Sequence, residues 1–394
     1  MKSILLTSTA LVAFAGMAAA DGHASISFSM ETTLGYNDTD GNDGRLSGDD
    51  DDPATPDVDE SLADFDNELG FYWEGNLKTT ASAELDNGLT AGAYFEITIA
   101  EDDDAIDNDG GLALSSSDFV LSLEASNGGL FFGDTGVAGD KYWKSAGDME
   151  ADGVTTATDS AVIRGDVDAG AYKASVSYIV NDAFDDDGAD PNDSLEQLAF
   201  GAEADFGVVT LTAAYQEETD FVDGSGDFNA DEIYGVSGEG TFGGATVTLA
   251  YAENSTDDQQ STGIKVAYPF GPVTATAYYV DEQGGDLDGE ANLGLNVAYA
   301  DGPFAVEADY QDDQGSEKWS LEGSYDVGNG LTLFAGVLNE NEEDEDFFAA
   351  ATYDLGGGAE LLVSYAEDDD GSQEDEIGGD EYQEGTTVEL TFSF

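Results

Sequence analysis

Cysteine, histidine and basic residues are what this chain of 394 residues lacks or nearly lacks. There is no cysteine, which excludes disulfide bonds, thiolate metal sites and cysteine nucleophiles. The one histidine, His23, cannot supply the several histidine ligands of a His-based zinc site. Its position near the N-terminus makes a Ser-His-Asp triad implausible. Nine Lys and Arg residues, scattered along the chain, cannot neutralise a run of phosphates, so nucleic acid is excluded as a partner.

Acidic residues are abundant instead. The chain has 87 Asp and Glu residues and a formal net charge of -78 at pH 7. Hydrophobic residues make up 40% of it and aromatic residues 11%, whereas acidic disordered chains are poor in aromatic residues. The 50 glycines show no Gly-x-y period and indicate many tight turns rather than a collagen. Composition therefore predicts a folded, acidic, strand-rich protein.

The N-terminal segment has the features of a secretory signal. Lys2 gives it a basic start, residues 4–17 are mostly apolar, and the alanines at 18–20 offer a cleavage site. The alternative is a buried N-terminal helix. We expect residues 1–20 to be a signal peptide and residues 21–394 to form one domain, in which no apolar run reaches the roughly 18 residues of a membrane helix.

From residue 25 onward, apolar residues recur at every second position in pairs of segments joined by a tight turn. In one such pair, Gly271-Pro272 separates two apolar series: Ile264, Val266, Tyr268 and Phe270 before it, and Val273, Ala275, Ala277 and Tyr279 after it. A period of two is that of a β-strand whose two faces meet different media. The pattern predicts a series of hairpins.

Short turns alternate with long acidic segments throughout the chain. The turns lie at 86–88, 126–128, 168–170, 206–207, 243–244, 271–272, 301–303, 328–330 and 356–358, and the acidic segments at 37–66, 100–116, 134–160, 181–194, 216–231, 252–262, 281–290, 311–317, 339–346 and 366–384. A soluble β-sandwich has connections of mixed length at both ends. An outer-membrane barrel has short periplasmic turns and long external loops. We therefore predict a transmembrane antiparallel β-barrel of 16–20 strands, with a direct count of about twenty.

Nine tyrosines occur at the same alternate strand positions as the apolar residues, and they form two rows. One row lies at the loop ends of strands and the other just before tight turns: Tyr215, Tyr251, Tyr279, Tyr310 and Tyr365, then Tyr268, Tyr299, Tyr325 and Tyr353. Two aromatic rows around an apolar band are typical of the interfacial girdles of membrane barrels. Tyrosines at the edges of a sandwich are the alternative.

The last strand alternates to the final residue and ends in Phe392 and Phe394. Together with the signal sequence and Gly129-Leu130-Phe131-Phe132-Gly133-Asp134 before a long loop, this ending resembles the Gram-negative general porins, particularly those of alphaproteobacteria. The resemblance implies a homotrimeric, water-filled channel for passive diffusion of small hydrophilic solutes. It also implies an outer membrane of lipid and lipopolysaccharide, and a terminal strand that the barrel-assembly machinery recognises.

The same resemblance implies that the long loop after the second hairpin folds into the lumen and narrows it. Here that loop is 134–160, and its acids are Asp134, Asp140, Asp148, Glu150, Asp152 and Asp159. The alternative is a solvated external loop, since most loops of this chain are acidic.

Four of the scarce basic residues fall on the parity opposite to the apolar residues: Lys78, Arg164, Lys173 and Lys265. A charge on the lipid face costs roughly 2–4 kcal/mol at mid-membrane, so these side chains are expected to point into the lumen. One hypothesis is that they face the acids of 134–160 and set a field across the pore. The other is that they neutralise neighbouring carboxylates such as Glu84 and Glu96.

The charge predicts a pore that prefers small cations, because carboxylates at a mouth attract cations and repel anions. The acidic runs 49–52, 102–104 and 368–370 could hold Ca²⁺ or Mg²⁺ loosely, but none has the EF-hand pattern. An acidic surface-structural or adhesive protein without an open pore is the alternative function. An enzyme is not expected, because His23 precedes the first strand and no carboxylate pair stands out.

Overall fold

The computed structural model describes residues 24–38, 70–101, 112–156, 158, 160–180, 195–221, 228–285, 291–339, 346–367, 377–378 and 382–394. The expected signal peptide, the acidic runs 49–52, 102–104 and 368–370, and Asp159 lie outside these ranges. Within them, no helix is both long enough and apolar enough to cross a membrane.

Twenty strands make up nearly all of the described chain. They are β1 (Ala24–Asn37), β2 (Gly70–Glu84), β3 (Thr90–Glu101), β4 (Leu112–Ala125), β5 (Gly128–Gly133), β6 (Ala161–Asp168), β7 (Tyr172–Val180), β8 (Leu195–Asp205), β9 (Val209–Gln216), β10 (Ile233–Phe242), β11 (Ala245–Asn254), β12 (Gln259–Phe270), β13 (Val273–Gly284), β14 (Ala291–Asp301), β15 (Phe304–Asp313), β16 (Ser316–Gly328), β17 (Leu331–Asn339), β18 (Asp346–Gly356), β19 (Ala359–Glu367) and β20 (Gly385–Ser393). A short helix α1 (Ala138–Tyr142) and a 3-10 turn (Glu150–Asp152) lie between β5 and β6.

The strands form one closed antiparallel barrel. Each pairs with the next along the chain, and β20 also pairs with β1, with Leu34 opposite Leu390. The final residue takes part in the closure, since the Phe394 N–H donates to the Met30 carbonyl at 2.8 Å. Every strand of the described chain thus has a hydrogen-bonded neighbour on each side, which is what a membrane barrel requires. The predicted fold is confirmed, and the strand number is twenty.

The two faces of the barrel differ as the period of two predicts. Leu249, Leu295 and Leu321 on the outer face are about half exposed, at 56%, 49% and 48%. Ser261 and Asn292, on the opposite parity, are fully buried inside the barrel. An apolar face that lies open in this way is suited to lipid.

The aromatic rows lie on this outer face. Six of the nine tyrosines are among its exposed large side chains: Tyr268, Tyr279, Tyr299, Tyr325, Tyr353 and Tyr365. The hydroxyls of the other three donate to the carboxylates of Glu232, Glu253 and Glu317 at the loop ends of the strands: Tyr215, Tyr251 and Tyr310. A ring against lipid with its hydroxyl toward water suits a membrane interface.

The nine predicted tight turns all join consecutive strands at one rim. At the Gly271 turn, a φ of +70° requires glycine. The prediction of long acidic loops at 252–262 and 311–317 is wrong. In both places the strands extend into the acidic segment and are joined by short turns, at 255–258 and 314–315. An acidic strand can extend beyond the membrane with water on both faces, so acidity alone does not mark a loop.

Candidate functional site

Residues 134–156, called the inner segment below, lie against the inner face of the barrel wall. The backbone N–H groups of Ala138, Ala151 and Thr155 donate to side chains of three different strands. The acceptors are Ser177 Oγ of β7 at 2.8 Å, Ser261 Oγ of β12 at 2.9 Å and Gln216 Oε1 of β9 at 2.7 Å. All three acceptors are buried. Polar side chains of the wall thus bind the segment along much of its length.

Glycines on the inner face let the segment approach the wall closely. A Cβ atom at Gly201 of β8 would lie under 3.0 Å from the Ala138 carbonyl oxygen, and one at Gly235 of β10 would meet the Trp143 ring. A Cβ atom at Gly263 of β12 would lie 2.9 Å from the Ala146 Cβ. Gly201, Gly235 and Gly263, called the glycine track below, therefore form the surface on which the segment lies.

Two apolar clusters hold the segment at its two ends. Both clusters pack residues of the segment against residues of the barrel wall. The first consists of Val137 and Ala138 with Val162, Ile179 and Ala199, and the second of Ala146, Met149 and Ala151 with Ala250, Ala252 and Val280. Burial of these side chains, at about 25 cal/mol per Å² of apolar surface, stabilises the inward position of the segment.

Arg164 of β6 binds the start of the segment. Its Nη1 donates to the Gly136 carbonyl at 2.8 Å, and its Nε lies 3.2 Å from Asp166 Oδ1. Lys141 of α1 contacts the other oxygen of the same carboxylate. The guanidinium also lies over the Phe131 ring, 5.2 Å from its centroid. Arg164 is thus engaged in local contacts on its own side of the lumen.

The acids singled out in the sequence occupy different parts of the segment. Asp134 caps its entry, where Oδ2 accepts the Phe119 N–H at 2.6 Å. Asp140 lies on α1 and is exposed. Asp148, Glu150 and Asp152 lie near the far end, around the 3-10 turn. The fold therefore brings together the last three but neither of the first two.

Asp148 and Glu150 approach Asp313 of β15, with one carboxylate oxygen from each residue within 4.8 Å of the others. Burial and the charge of Asp313 raise the pKa of both Asp148 and Glu150. Burial also raises the pKa of Asp152 to about 7, although a hydrogen bond of 2.9 Å from Trp143 Nε1 partly offsets the effect. This end of the segment is a concentration of acidic groups.

The other predicted cations lie on the inner face but not in one group. Lys78 of β2 lies 3.3 Å from Glu96, and Lys173 of β7 lies 2.8 Å from Glu203. Lys265 of β12 stands between Thr248 and Tyr278 on the neighbouring strands. No carboxylate lies within ion-pair distance of it among the residues that the structure describes.

Seven of the nine basic residues are described, since Lys2 and Arg45 are not, and six of the seven form ion pairs. These six are Lys78, Lys141, Lys144, Arg164, Lys173 and Lys318. Strands β17–β20 and β1 contain no basic residue, while Glu31, Glu360 and Glu389 occupy their inner face. The inner wall therefore carries more negative than positive charge, and no basic cluster faces the segment from these strands.

The connection between β19 and β20 also touches the inner wall. Ile377 is 2% exposed, and the Tyr382 ring lies 4.8 Å from the ring of Phe348 on β18. The inner segment is thus not the only part of the chain that enters the lumen.

Several of these residues were not predicted from the sequence. Asp313 fell within an expected acidic loop and had no distinguishing signal. Lys141 and Lys144 were not singled out, although they lie in the predicted constriction loop. The glycine track did carry a signal, because glycine recurs at inner positions of every second strand.

The terminal aromatic residues complete the barrel wall. Phe392 lies opposite Thr32 of β1, and its ring stacks on Phe394 with centroids 6.3 Å apart. Phe394 is 57% exposed on the outer surface.

Comparison with known proteins places this architecture in a family. A model of the Gram-negative porin family matches residues 7–373. No curated protein matches the chain. Similar solved structures include a triple mutant of the Rhodopseudomonas blastica porin, with 14% identity and a TM-score of 0.43, and another mutant of the Rh. blastica porin, with 15% identity and a TM-score of 0.45. Each alignment covers 94% of this chain and 100% of the other. Because the family model spans most of the sequence, this chain belongs to the Gram-negative porin family and is a non-enzymatic channel of the outer membrane.

Proposed function

We propose that this porin conducts small cations in preference to anions and that the inner segment narrows its lumen. The proposal of cation preference rests on the charge of the inner wall. Six of the seven described basic residues are paired with carboxylates, while Glu31, Glu360 and Glu389 lie on strands without any basic residue. A surplus of fixed negative charge raises the local concentration of cations and lowers that of anions.

The contacts of the inner segment support its role as a constriction. It is bonded to the inner face from β7 to β12, and Asn292 of β14 donates to the Asp148 carbonyl at 3.2 Å. A segment held at this position occupies part of the cross-section through which solutes pass. Passive diffusion would then be limited to small hydrophilic solutes, as the family resemblance implies.

Family membership supports the proposals about partners. We expect a homotrimer in a membrane of lipid and lipopolysaccharide, and recognition of the strand that ends in Phe392 and Phe394 by the barrel-assembly machinery. A heat-modifiable gel shift with retained oligomer bands tests the trimer. A monomer band alone in unheated samples would contradict it.

The ion preference is tested by reversal potentials in planar bilayers under a KCl gradient, with a chelator present to remove divalent cations. The wild type is expected to show cation preference. The variant Asp148→Asn/Glu150→Gln/Asp152→Asn is expected to reduce the permeability ratio by about two- to fivefold, because three acids leave the narrow section.

Anion preference of the wild type would contradict the electrostatic proposal. An unchanged ratio in the variant would contradict the constriction role of the segment. Absence of any conductance would favour a barrel without an open pore.

A further inference from the structure

The connection between β19 and β20 enters the lumen beside the inner segment. Its described residues are Ile377, which is buried, Gly378 and residues 382–384. These residues, called the second inner segment below, contact β16, β17, β18 and β1. The inner segment is hydrogen-bonded to the wall from β7 to β14. The two segments therefore cover different sectors of the inner wall.

Apolar side chains of the wall point inward beneath the second inner segment. Leu338 of β17 and Phe348 of β18 are buried, whereas Phe347, one position earlier on β18, is exposed on the outer face. A Leu or Phe side chain that faced open water here would forgo about 1.5–3 kcal/mol of burial energy. The two apolar clusters beneath the inner segment have the same arrangement, because residues of that segment cover wall residues there. Inward apolar residues thus mark places where the chain covers its own wall.

An aromatic pair holds the second inner segment on β18. The Tyr382 ring lies 4.8 Å from the Phe348 ring, at an interplanar angle of 41°. The Phe348 ring in turn lies over Gly336 of β17, where an added Cβ atom would overlap it. An aromatic pair contributes about 0.5–1.5 kcal/mol beyond the burial of its surface. A glycine of the wall thus makes room for the ring that Tyr382 contacts.

Backbone contacts extend the attachment to three more strands. A Cβ atom at Gly378 would overlap Glu322 Oε1 of β16 and lie 3.9 Å from Leu338 Cδ2 of β17, so the backbone passes close to both strands. Further along the chain, the Glu384 carbonyl accepts a hydrogen bond of 2.8 Å from Asn37 Nδ2 of β1. The second inner segment is therefore held inside the barrel at several points.

We propose that the second inner segment is a second constriction and that it sets, together with the inner segment, the size limit for solutes. This rests on the proposed function, because it requires an open pore. The side chains of Ile377 and Tyr382 and the backbone between the wall contacts occupy part of the lumen beside β16–β18. The passage of a neutral solute depends on the width that remains, whereas ion preference depends on charge. The size limit can therefore be measured separately from the ion preference.

Removal of the segment tests the proposal. In the hairpin variant, Asn-Gly replaces residues 368–383, so that a two-residue turn of the kind that joins antiparallel strands connects Glu367 to Glu384. The strands β19 and β20 are already paired up to Ala366, and the hydrogen bond from Asn37 to Glu384 is kept. Swelling of proteoliposomes then compares glucose, sucrose and raffinose, which are neutral sugars of increasing size. Heat-modifiable gel mobility verifies that each barrel has folded.

The wild type is expected to admit glucose and to retard raffinose. The hairpin variant should admit raffinose at least about threefold faster relative to glucose, because its lumen is wider. Its conductance in concentrated KCl, where fixed charges are screened, should rise at least about 1.5-fold. The control Asp368→Asn/Asp369→Asn/Asp370→Asn lowers the charge of the same connection without shortening it. Its relative raffinose rate should stay within about 1.2-fold of the wild type, because neutral sugars do not respond to the charge of the pore.

A single substitution keeps the proposal testable if the hairpin variant fails to fold. Because the chain has no cysteine, Tyr382→Cys introduces one thiol, which a positively charged methanethiosulfonate reagent can modify. Modification should lower the single-channel conductance by about a third, since the added group lies in the narrowed section. The matched control is Tyr365→Cys, the same substitution on the outer face of β19, where modification should leave the conductance unchanged.

The proposal is overturned if the folded hairpin variant keeps the raffinose rate and conductance of the wild type. It is also overturned if complete modification of Tyr382→Cys, verified by mass spectrometry, leaves the conductance unchanged. In both cases a conducting wild type leaves the proposed function intact. A wild type that admits no sugar beside a hairpin variant that admits glucose would support the second constriction. An absence of conductance in both proteins would contradict the open pore and the second constriction with it.

Discussion

Leu295→Arg is expected to lower the free energy of unfolding in a lipid bilayer by about 2–4 kcal/mol, the cost of a charge at mid-membrane on the lipid face. Leu295 lies in the middle of β14, on the outer face, and is 49% exposed in the isolated barrel. Urea titration in phospholipid vesicles, followed by tryptophan fluorescence, measures the change.

Asn296→Arg, one residue further along the same strand, is the matched control. Asn296 lies on the inner face, where its Nδ2 contacts Glu307 at 2.6 Å and Asp309 at 3.1 Å. An arginine there meets two carboxylates and water, so stability should change by roughly 0–1 kcal/mol. The reversal potential should shift in the direction that reports a weaker preference for cations, because the substitution adds positive charge to the lumen. Equal destabilisation by the two substitutions would contradict the assignment of the faces.

The double variant Gly201→Ala/Gly263→Ala is expected to displace the inner segment from the wall. At Gly201 the added Cβ meets the Ala138 backbone, and at Gly263 it meets Ala146 at 2.9 Å. Overpacking costs about 1–3 kcal/mol at each site. Because the clash is with the segment rather than with a flexible side chain, the segment should move and lose its bonds to Ser177 and Ser261.

Limited trypsin digestion measures this displacement directly. Lys141 and Lys144 lie in the segment, inside the barrel, and the chain has few other cleavage sites. The wild type should resist cleavage at these two lysines, and the double variant should be cut there at least about tenfold faster, because proteolysis follows the population of the open form.

Gly165→Ala on β6 is the control for the double variant. Its added Cβ has only Val176 Cγ1 nearby, at 4.0 Å, so the digestion pattern should match that of the wild type. A double variant with the wild-type pattern and stability would show that the glycine track does not position the segment.

The strands could be predicted because each depends on a pattern of a few neighbouring residues. The alternation from Ile264 to Tyr279 predicts a hairpin, and β12 and β13 form it with Phe270 opposite Val273. The same parity predicts the inner positions of Lys78 and Lys173. The prediction was wrong where composition replaced pattern, as at 252–262, where acidity was interpreted as a loop although β11 and β12 continue.

The partners within the site could not be predicted, because they depend on where the inner segment lies. Asp148 and Asp313 are far apart in the chain, and nothing in the sequence near Asp313 sets it apart from the many other acids. The same holds for Asn292, whose buried amide matters only because Asp148 and Glu150 are placed beside it.

The amino-acid order alone therefore determined the closed barrel, its apolar outer surface, the tight turns and the negative charge. These follow from a period of two, from glycine in turns and from a simple count of charges, all of which are local or additive. Only the tertiary structure decided which acidic residues lie close together, which basic residues pair with them and how the inner segment lies on the glycine track. Those contacts join residues from separate strands, and only the closure of the barrel brings such strands to opposite sides of one lumen.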